Sequence, residues 1–113
     1  MSNHRITANN ENDFLDWRMG SGNTVEIFDL HVENERRRKG IGRTLIKILL
    51  RGIPSNIRTV YAVTRADNRI AQLFYESLRF RIIGNLFDFY KDSNTLTGTI
   101  DAIMYGRDID SQA

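Results

Sequence analysis

Between Val32 and Leu45 the chain reads Glu33-Asn34-Glu35-Arg36-Arg37-Arg38-Lys39-Gly40-Ile41-Gly42-Arg43-Thr44, and five of its sixteen Lys and Arg residues fall between Arg36 and Arg43. The two glycines lack a Cβ at the point where a helix begins, so backbone amides there can approach a ligand closely. No Ser, Thr, Asp or Asn lies between Arg36 and Arg43 to cap that helix, which leaves its first N–H groups to an outside acceptor. Converging amides, flanking cations and a helix dipole worth roughly half a positive charge are the chemistry of an oxyanion site, phosphate above all. The ligand-free alternative is a glycine-flexed turn carrying a solvated basic face. Residue order narrows the ligand. A nucleoside-triphosphate loop fails because Gly-x-x-x-x-Gly-Lys-Ser/Thr is missing. A dinucleotide loop fails because Leu45 stands where a third small residue would let helix and strand pack closely.

The elements that must position this loop follow from periodicity. Arg5 to Ala8 and Phe14 to Met19 are short strands, and Gly20-Ser21-Gly22-Asn23 is turn chemistry leading into a strand over Thr24 to Val32. Ile41, Leu45, Ile48 and Leu49 repeat at helical spacing before Gly52 and the only proline, Pro54, end the helix. Thr59 to Val63 has the continuous apolar character of a strand covered on both faces. Ala71, Phe74, Tyr75 and Leu78 then give a helical face over Asn68 to Leu78, so strand, helix, strand, helix suggests a parallel crossover. Phe80 to Lys91 and Thr99 to Gly106 predict a closing hairpin. The expected architecture is one mixed α/β domain over residues 1–113, with a core from about 5 to 106, a tail over 107–113, and a largely antiparallel sheet with two main helices.

Composition bounds the chemistry further. A chain of 113 residues can bury roughly 65% of its unfolded surface in one core. It has no cysteine, which excludes disulfides, thiolate metal ligands and a cysteine-acyl intermediate. His4 and His31 are isolated and no carboxylate cluster has ligand spacing, so no metal is expected. Residues 1–5 lack the pattern of a signal peptide and no apolar run reaches membrane-span length, from which a soluble, cytoplasmic protein is expected. The formal net charge of +2 is too small to imply a nucleic-acid partner.

Arg37-x-x-Gly40-x-Gly42, after a strand and opening an amphipathic helix, resembles the Arg/Gln-x-x-Gly-x-Gly/Ala signature of the GNAT N-acetyltransferase superfamily. Asn68-Arg69-Ile70-Ala71-Gln72-Leu73-Phe74-Tyr75-Glu76-Ser77-Leu78-Arg79-Phe80 resembles its Asn-x-x-Ala-x-x-x-Tyr-x-x-x-Gly-Phe segment. The resemblance covers about Phe14 to Tyr105 and implies the acyl-CoA N-acyltransferase fold, with acetyl-coenzyme A as co-substrate and an amine as acceptor. It assigns the coenzyme pyrophosphate to Arg37, Arg38, Lys39, Gly40, Ile41, Gly42 and Arg43, with a hydroxyl from Thr44. The pantetheine arm would pair with backbone near Leu30, His31 and Val32 as an added strand does. Asn68 would touch the cofactor and Tyr75 would be the general acid. Two departures stand out. Arg79 occupies the glycine position, where a left-handed helix exit would cost about 1 kcal/mol. Nothing corresponds to the first strand and helix pair of longer relatives, so the acceptor side would be open or completed by a second subunit.

Without cysteine, the simplest implied reaction is direct transfer in a ternary complex. Tyr75 would protonate the departing thiolate; its alternative is packing beside Ala71, Phe74 and Leu78. Glu26 is the candidate base, because Val25-Glu26-Ile27-Phe28-Asp29-Leu30-His31-Val32 resembles histone-type relatives with a glutamate six residues before the strand's last valine. Its alternatives are a solvent-facing or ion-paired carboxylate, with water as the base. Strict alternation would put Asp29 and His31 on the face opposite Glu26, unless a bulge intervenes. Asp13, Asp16, Glu26 and Asp29 could attract a cationic acceptor. The competing class is a non-catalytic module that binds acyl-CoA or contacts nucleic acid through the basic loop.

Overall fold

The structure is a computed structural model and describes residues 3–8, 11–33 and 40–109. Its elements are β1 (Asn3–Thr7), β2 (Phe14–Met19), β3 (Thr24–His31), α1 (Ile41–Gly52), β4 (Thr59–Arg65), α2 (Arg69–Ser77), β5 (Arg81–Lys91) and β6 (Thr99–Asp108). The six strands form one sheet in the order β1-β2-β3-β4-β6-β5. The chain divides into two compact units, Met1–Val60 with Ile109–Ala113, and Tyr61–Asp108.

In the first unit β2 pairs antiparallel with both β1 and β3. The β2–β3 turn closes through Gly20 N–H to the Thr24 carbonyl at 3.0 Å, and Gly22 supplies the positive φ of 66° that the turn requires. Leu15, Val25 and Ile27 are buried on these strands, and α1 packs against β1 and β2. The helix buries Leu45, Ile46 and Leu49, while Ile48 is 40% exposed, so its inward stripe is rotated slightly from the Ile41-Leu45-Ile48-Leu49 pattern. Each such aliphatic side chain taken from water contributes about 1.5–3 kcal/mol. The helix ends at Gly52, and the Ile53 N–H still reaches the Leu49 carbonyl at 3.1 Å.

In the second unit β5 and β6 form the long antiparallel hairpin. Along the part of β4 in this unit, Ala62 and Thr64 are buried while Tyr61, Val63 and Arg65 are only half-buried, so one face is fully covered rather than both. The core here gathers Ala62, Tyr75, Leu78, Phe80, Ala102 and Tyr105. Gln72, also buried, donates to the carbonyls of Arg65 (3.2 Å) and Ala66 (2.9 Å), which ties α2 to the turn before it. No helix among the described residues is long and apolar enough to cross a membrane.

Candidate functional site

The chain enters α1 through Gly40, which sits in the left-handed region at φ 77° as the N-cap. No side chain caps this helix, and no acidic residue lies in its first turn. The first intrahelical bond is Thr44 N–H to the Gly40 carbonyl at 2.9 Å, so the amides of Ile41 and Gly42 precede the helical ladder. A Cβ on Gly40 would meet nothing within 4 Å, so its glycine is required by conformation rather than by crowding. The Thr44 hydroxyl donates to the Gly40 carbonyl at 2.9 Å. Its proton is therefore engaged inside the helix, which leaves the hydroxyl with acceptor lone pairs. Arg37, Arg38 and Lys39 lie outside the described residues.

Face assignments on β3 turn on one irregularity. Asp16 faces Asp29 and Trp17 faces Ile27, which leaves Phe28 unopposed as a bulge. Glu26 opposite Arg18, Asp29 opposite Asp16 and His31 opposite Phe14 therefore share one face, contrary to strict alternation. Contacts agree: the Phe14 and His31 rings lie 5.6 Å apart, and Arg18 Nε donates to Glu26 Oε1 at 2.7 Å. The carboxylates proposed to draw a cation are mostly engaged. Asp16 takes a two-pronged bond from Arg5 at 2.7 and 2.8 Å, which with Asp29 nearby raises the Arg5 guanidinium above its usual range. Asp13 is fully buried and accepts the Glu33 N–H at 2.9 Å. Asp29 alone of the four is exposed.

In the second unit Asn68 caps α2, its Oδ1 accepting the Ala71 N–H at 3.1 Å. The cap uses the amide oxygen; the two N–H donors of the same group are chemically suited to a ligand. Tyr75 is 5% exposed and sits among Phe74, Phe80 and Tyr105, with ring centroids 5.3, 5.2 and 6.2 Å away. The Tyr105 hydroxyl donates to Glu76 Oε2 at 2.8 Å; burial, then that bond, pushes its ionisation above the usual phenol range. Arg79 keeps the left-handed exit at φ 68° despite carrying a side chain.

Ahead of α2, Arg65 binds Asp67 through Nε and Nη2 at 3.1 Å each and Asp92 at 2.7 Å. Both carboxyls are held below their usual range, chiefly by Arg65, and the Asn94 N–H adds to the effect at Asp92. This clamp joins the turn carrying Asn68 to the β5–β6 connection. Sequence reading missed it because Arg65, Asp67 and Asp92 carry no periodic signal, and 27 residues separate the outer pair. Among the described residues no group of three or more His, Asp or Glu is placed to hold a metal.

The fold is that of the GNAT N-acetyltransferases, seen in several solved structures. Over 99% of this chain and 71% of theirs, the ribosomal-protein-S18-alanine N-acetyltransferase from Escherichia coli matches at 26% identity and a TM-score of 0.74. Arabidopsis thaliana NAA60, solved with a bisubstrate analogue, matches at 25% identity and a TM-score of 0.74, covering 87% of this chain and 65% of that one. Chaetomium thermophilum Naa20 with a bisubstrate analogue has a TM-score of 0.82 at 21% identity over 93% of this chain and 65% of that one, a likeness of fold. No curated protein sequence matches the chain. The model of the FR47-like protein family matches residues 6–87, and the chain belongs to that family.

Proposed function

We propose that this protein is an acetyl-coenzyme A-dependent N-acetyltransferase that moves the acetyl group to a primary amine by direct transfer in a ternary complex, the two units acting as one domain. The observation that carries this is the start of α1: a left-handed Gly40, no side-chain cap and amides ahead of the first helical bond. Family membership and the N-acetyltransferase neighbours support the same reading. Arabidopsis NAA60 is also solved with acetyl-CoA, which supports that co-substrate.

In this reading the amides of Gly40, Ile41, Gly42 and Arg43, with Arg37, Arg38 and Lys39, hold the pyrophosphate oxygens. Backbone of Leu30, His31 and Val32 pairs with the pantetheine arm, and an Asn68 amide N–H reaches the cofactor. Tyr75 gives its proton to the thiolate as the carbon–sulfur bond breaks. Glu26, beside Arg18, takes the proton lost by the attacking amine, directly or through water. Thr44 serves by fixing Gly40 rather than by touching phosphate, given its bond to the Gly40 carbonyl.

The test is calorimetric titration with acetyl-CoA, followed by thiol release with a panel of small amines, polyamines, lysine peptides and peptide amino termini. Saturable binding and thiol release with at least one amine class are expected. Binding without release from any class would favour a non-catalytic acyl-CoA module, and absence of binding removes the proposal.

A further inference from the structure

On the face of the first unit that carries Glu26, two arginines each bond a carboxylate and lie against a phenyl ring, but they hold their carboxylates differently. Arg5 takes both Asp16 oxygens, Nε to Oδ1 at 2.7 Å and Nη2 to Oδ2 at 2.8 Å, with its guanidinium 3.9 Å from the centroid of the Phe14 ring. Arg18 takes one oxygen of its partner. Its Nε donates to Glu26 Oε1 at 2.7 Å, and its guanidinium lies 4.8 Å from the centroid of the Phe28 ring. Both ring distances are those of a cation–π contact. Phe28 is the bulge residue of β3, unopposed on β2, and its ring meets Arg18 instead of a directly facing neighbour. The single bond leaves Glu26 Oε2 without a donor among the described residues. The Glu26 side chain keeps 18% of its surface, so the carboxylate is screened yet reachable.

From this geometry we infer that Arg18 is a positioning residue for acetyl transfer: stacked on Phe28 and bonded through Nε alone, it fixes the Glu26 carboxylate with Oε2 left to take the amine proton. The inference rests on the proposed role of Glu26 as the base, and Arg18 touches no substrate in it. An arginine–carboxylate pair near the surface is ordinarily loose, because two long side chains lose freedom when they meet. The Phe28 ring supplies a third contact that holds the plane of the guanidinium. A general base must lie within hydrogen-bond reach of the proton it takes, and misplacement by about 1 Å can cost up to about 10²-fold. Asp16 lies on the same face but is not equivalent, since Arg5 occupies both of its oxygens.

The experiment is steady-state kinetics by thiol release with an accepted amine, on the whole protein and its variants. Arg18→Gln should lower kcat about tenfold or more while KM for acetyl-CoA stays within about twofold. In a Glu26→Gln background the same change should cost less than about twofold, because Arg18 acts through Glu26. Arg18→Lys keeps the charge without the planar fork and should recover part of the loss. Phe28→Leu should also lower kcat, and it carries the test if Arg18→Gln does not fold. Arg5→Gln is the control for a lost ion pair on this face and should stay within about twofold of the parent kcat. Parent-like kcat in Arg18→Gln, or in Phe28→Leu where that variant carries the test, overturns the inference. So does an equal loss in the Glu26→Gln background or in Arg5→Gln. A Glu26→Gln protein at the parent rate overturns it together with the base beneath it and leaves the coenzyme site standing. A parent protein that releases no thiol with any amine removes the proposed transfer, and the inference with it.

Discussion

The backbone N–H of Phe80 donates to the Tyr75 carbonyl at 3.0 Å, and the two rings meet edge-on with centroids 5.2 Å apart. With Arg79 N–H on the Glu76 carbonyl at 3.0 Å, these bonds close α2 as a Schellman motif, complete with its apolar contact. Arg107 Nη1 adds a bond to the Leu78 carbonyl at 2.9 Å. The motif needs a left-handed residue at position 79, and arginine is held there at φ 68°. Arg79→Gly should therefore raise stability by about 0.5–1 kcal/mol, the steric relief exceeding glycine's entropy cost. Urea unfolding of the two proteins measures it, and a lower midpoint for Arg79→Gly would contradict the assignment.

That position shows how far the sequence reaches. Asn68-x-x-Ala71-x-x-x-Tyr75 and the Gly40-x-Gly42 opening are local patterns, and they located both helix starts and the core face of α2. The exit at Arg79 was legible as a departure but not as an outcome, because whether a helix end keeps its geometry depends on how Phe80 packs and on Arg107 arriving from 29 residues beyond Leu78. Strand limits mostly held to within a residue or two, since turns and β-branched runs are local signals. The bulge at Phe28 was not legible. It depends on register against Asp16 and Trp17 across the hairpin, and it moved Asp29 and His31 to the face of Glu26. Asp13 read as one of four carboxylates that could attract a cationic acceptor, because nothing local marks a buried side chain that bonds 20 residues away.

Gly106 on β6 lies against Ile83 on β5. A Cβ at position 106 would stand 2.6 Å from Ile83 Cδ1, with Cγ2 and Cγ1 at 3.2 and 3.3 Å. Three contacts on one side chain cannot all be relieved by a rotation of its tip, so Gly106→Ala should destabilise by about 1–3 kcal/mol as an overpacked site. Ile83→Ala opens that space, and the double variant should recover most of the loss. Thermal unfolding of the three variants gives the coupling. Additive losses would mean the crowding lies elsewhere.

Arg65 gives the second unit a defined acid response. Asp67 and Asp92 have folded-state ionisation below their ordinary range, chiefly through Arg65. Groups lowered in this way add stability above their unfolded range near pH 4 and lose it as pH falls through the folded values. Arg65→Gln should be less stable than the parent at pH 7 and should converge on it below about pH 4. The groups are accessible enough that the difference should shrink at about 1 M salt. Melting temperatures from pH 7 to 2 in low and high salt provide the comparison, and parallel curves at both salts would exclude the clamp.

Tyr75 and Tyr105 separate catalysis from packing. Their rings stack with centroids 6.2 Å apart, and each keeps its apolar contacts when changed to phenylalanine. If Tyr75 protonates the thiolate, Tyr75→Phe should lower kcat by about 10²–10⁴-fold with little change in acetyl-CoA affinity. Tyr105→Phe loses its bond to Glu76, costing about 1 kcal/mol of stability, and should turn over at nearly the parent rate. The Tyr105 hydroxyl ionises above its ordinary range, so the stability it supplies is present below about pH 10 and lost as pH rises through the folded value. Tyr105→Phe should accordingly flatten the alkaline fall in melting temperature. Glu26→Gln supplies the complementary limb: a base at that position predicts loss of the acidic arm of the kcat/KM profile along with a fall in rate. Rates for all three variants with an accepted amine, read across pH by thiol release, decide the roles. Equal, small losses in Tyr75→Phe and Tyr105→Phe would reduce Tyr75 to a member of the aromatic core.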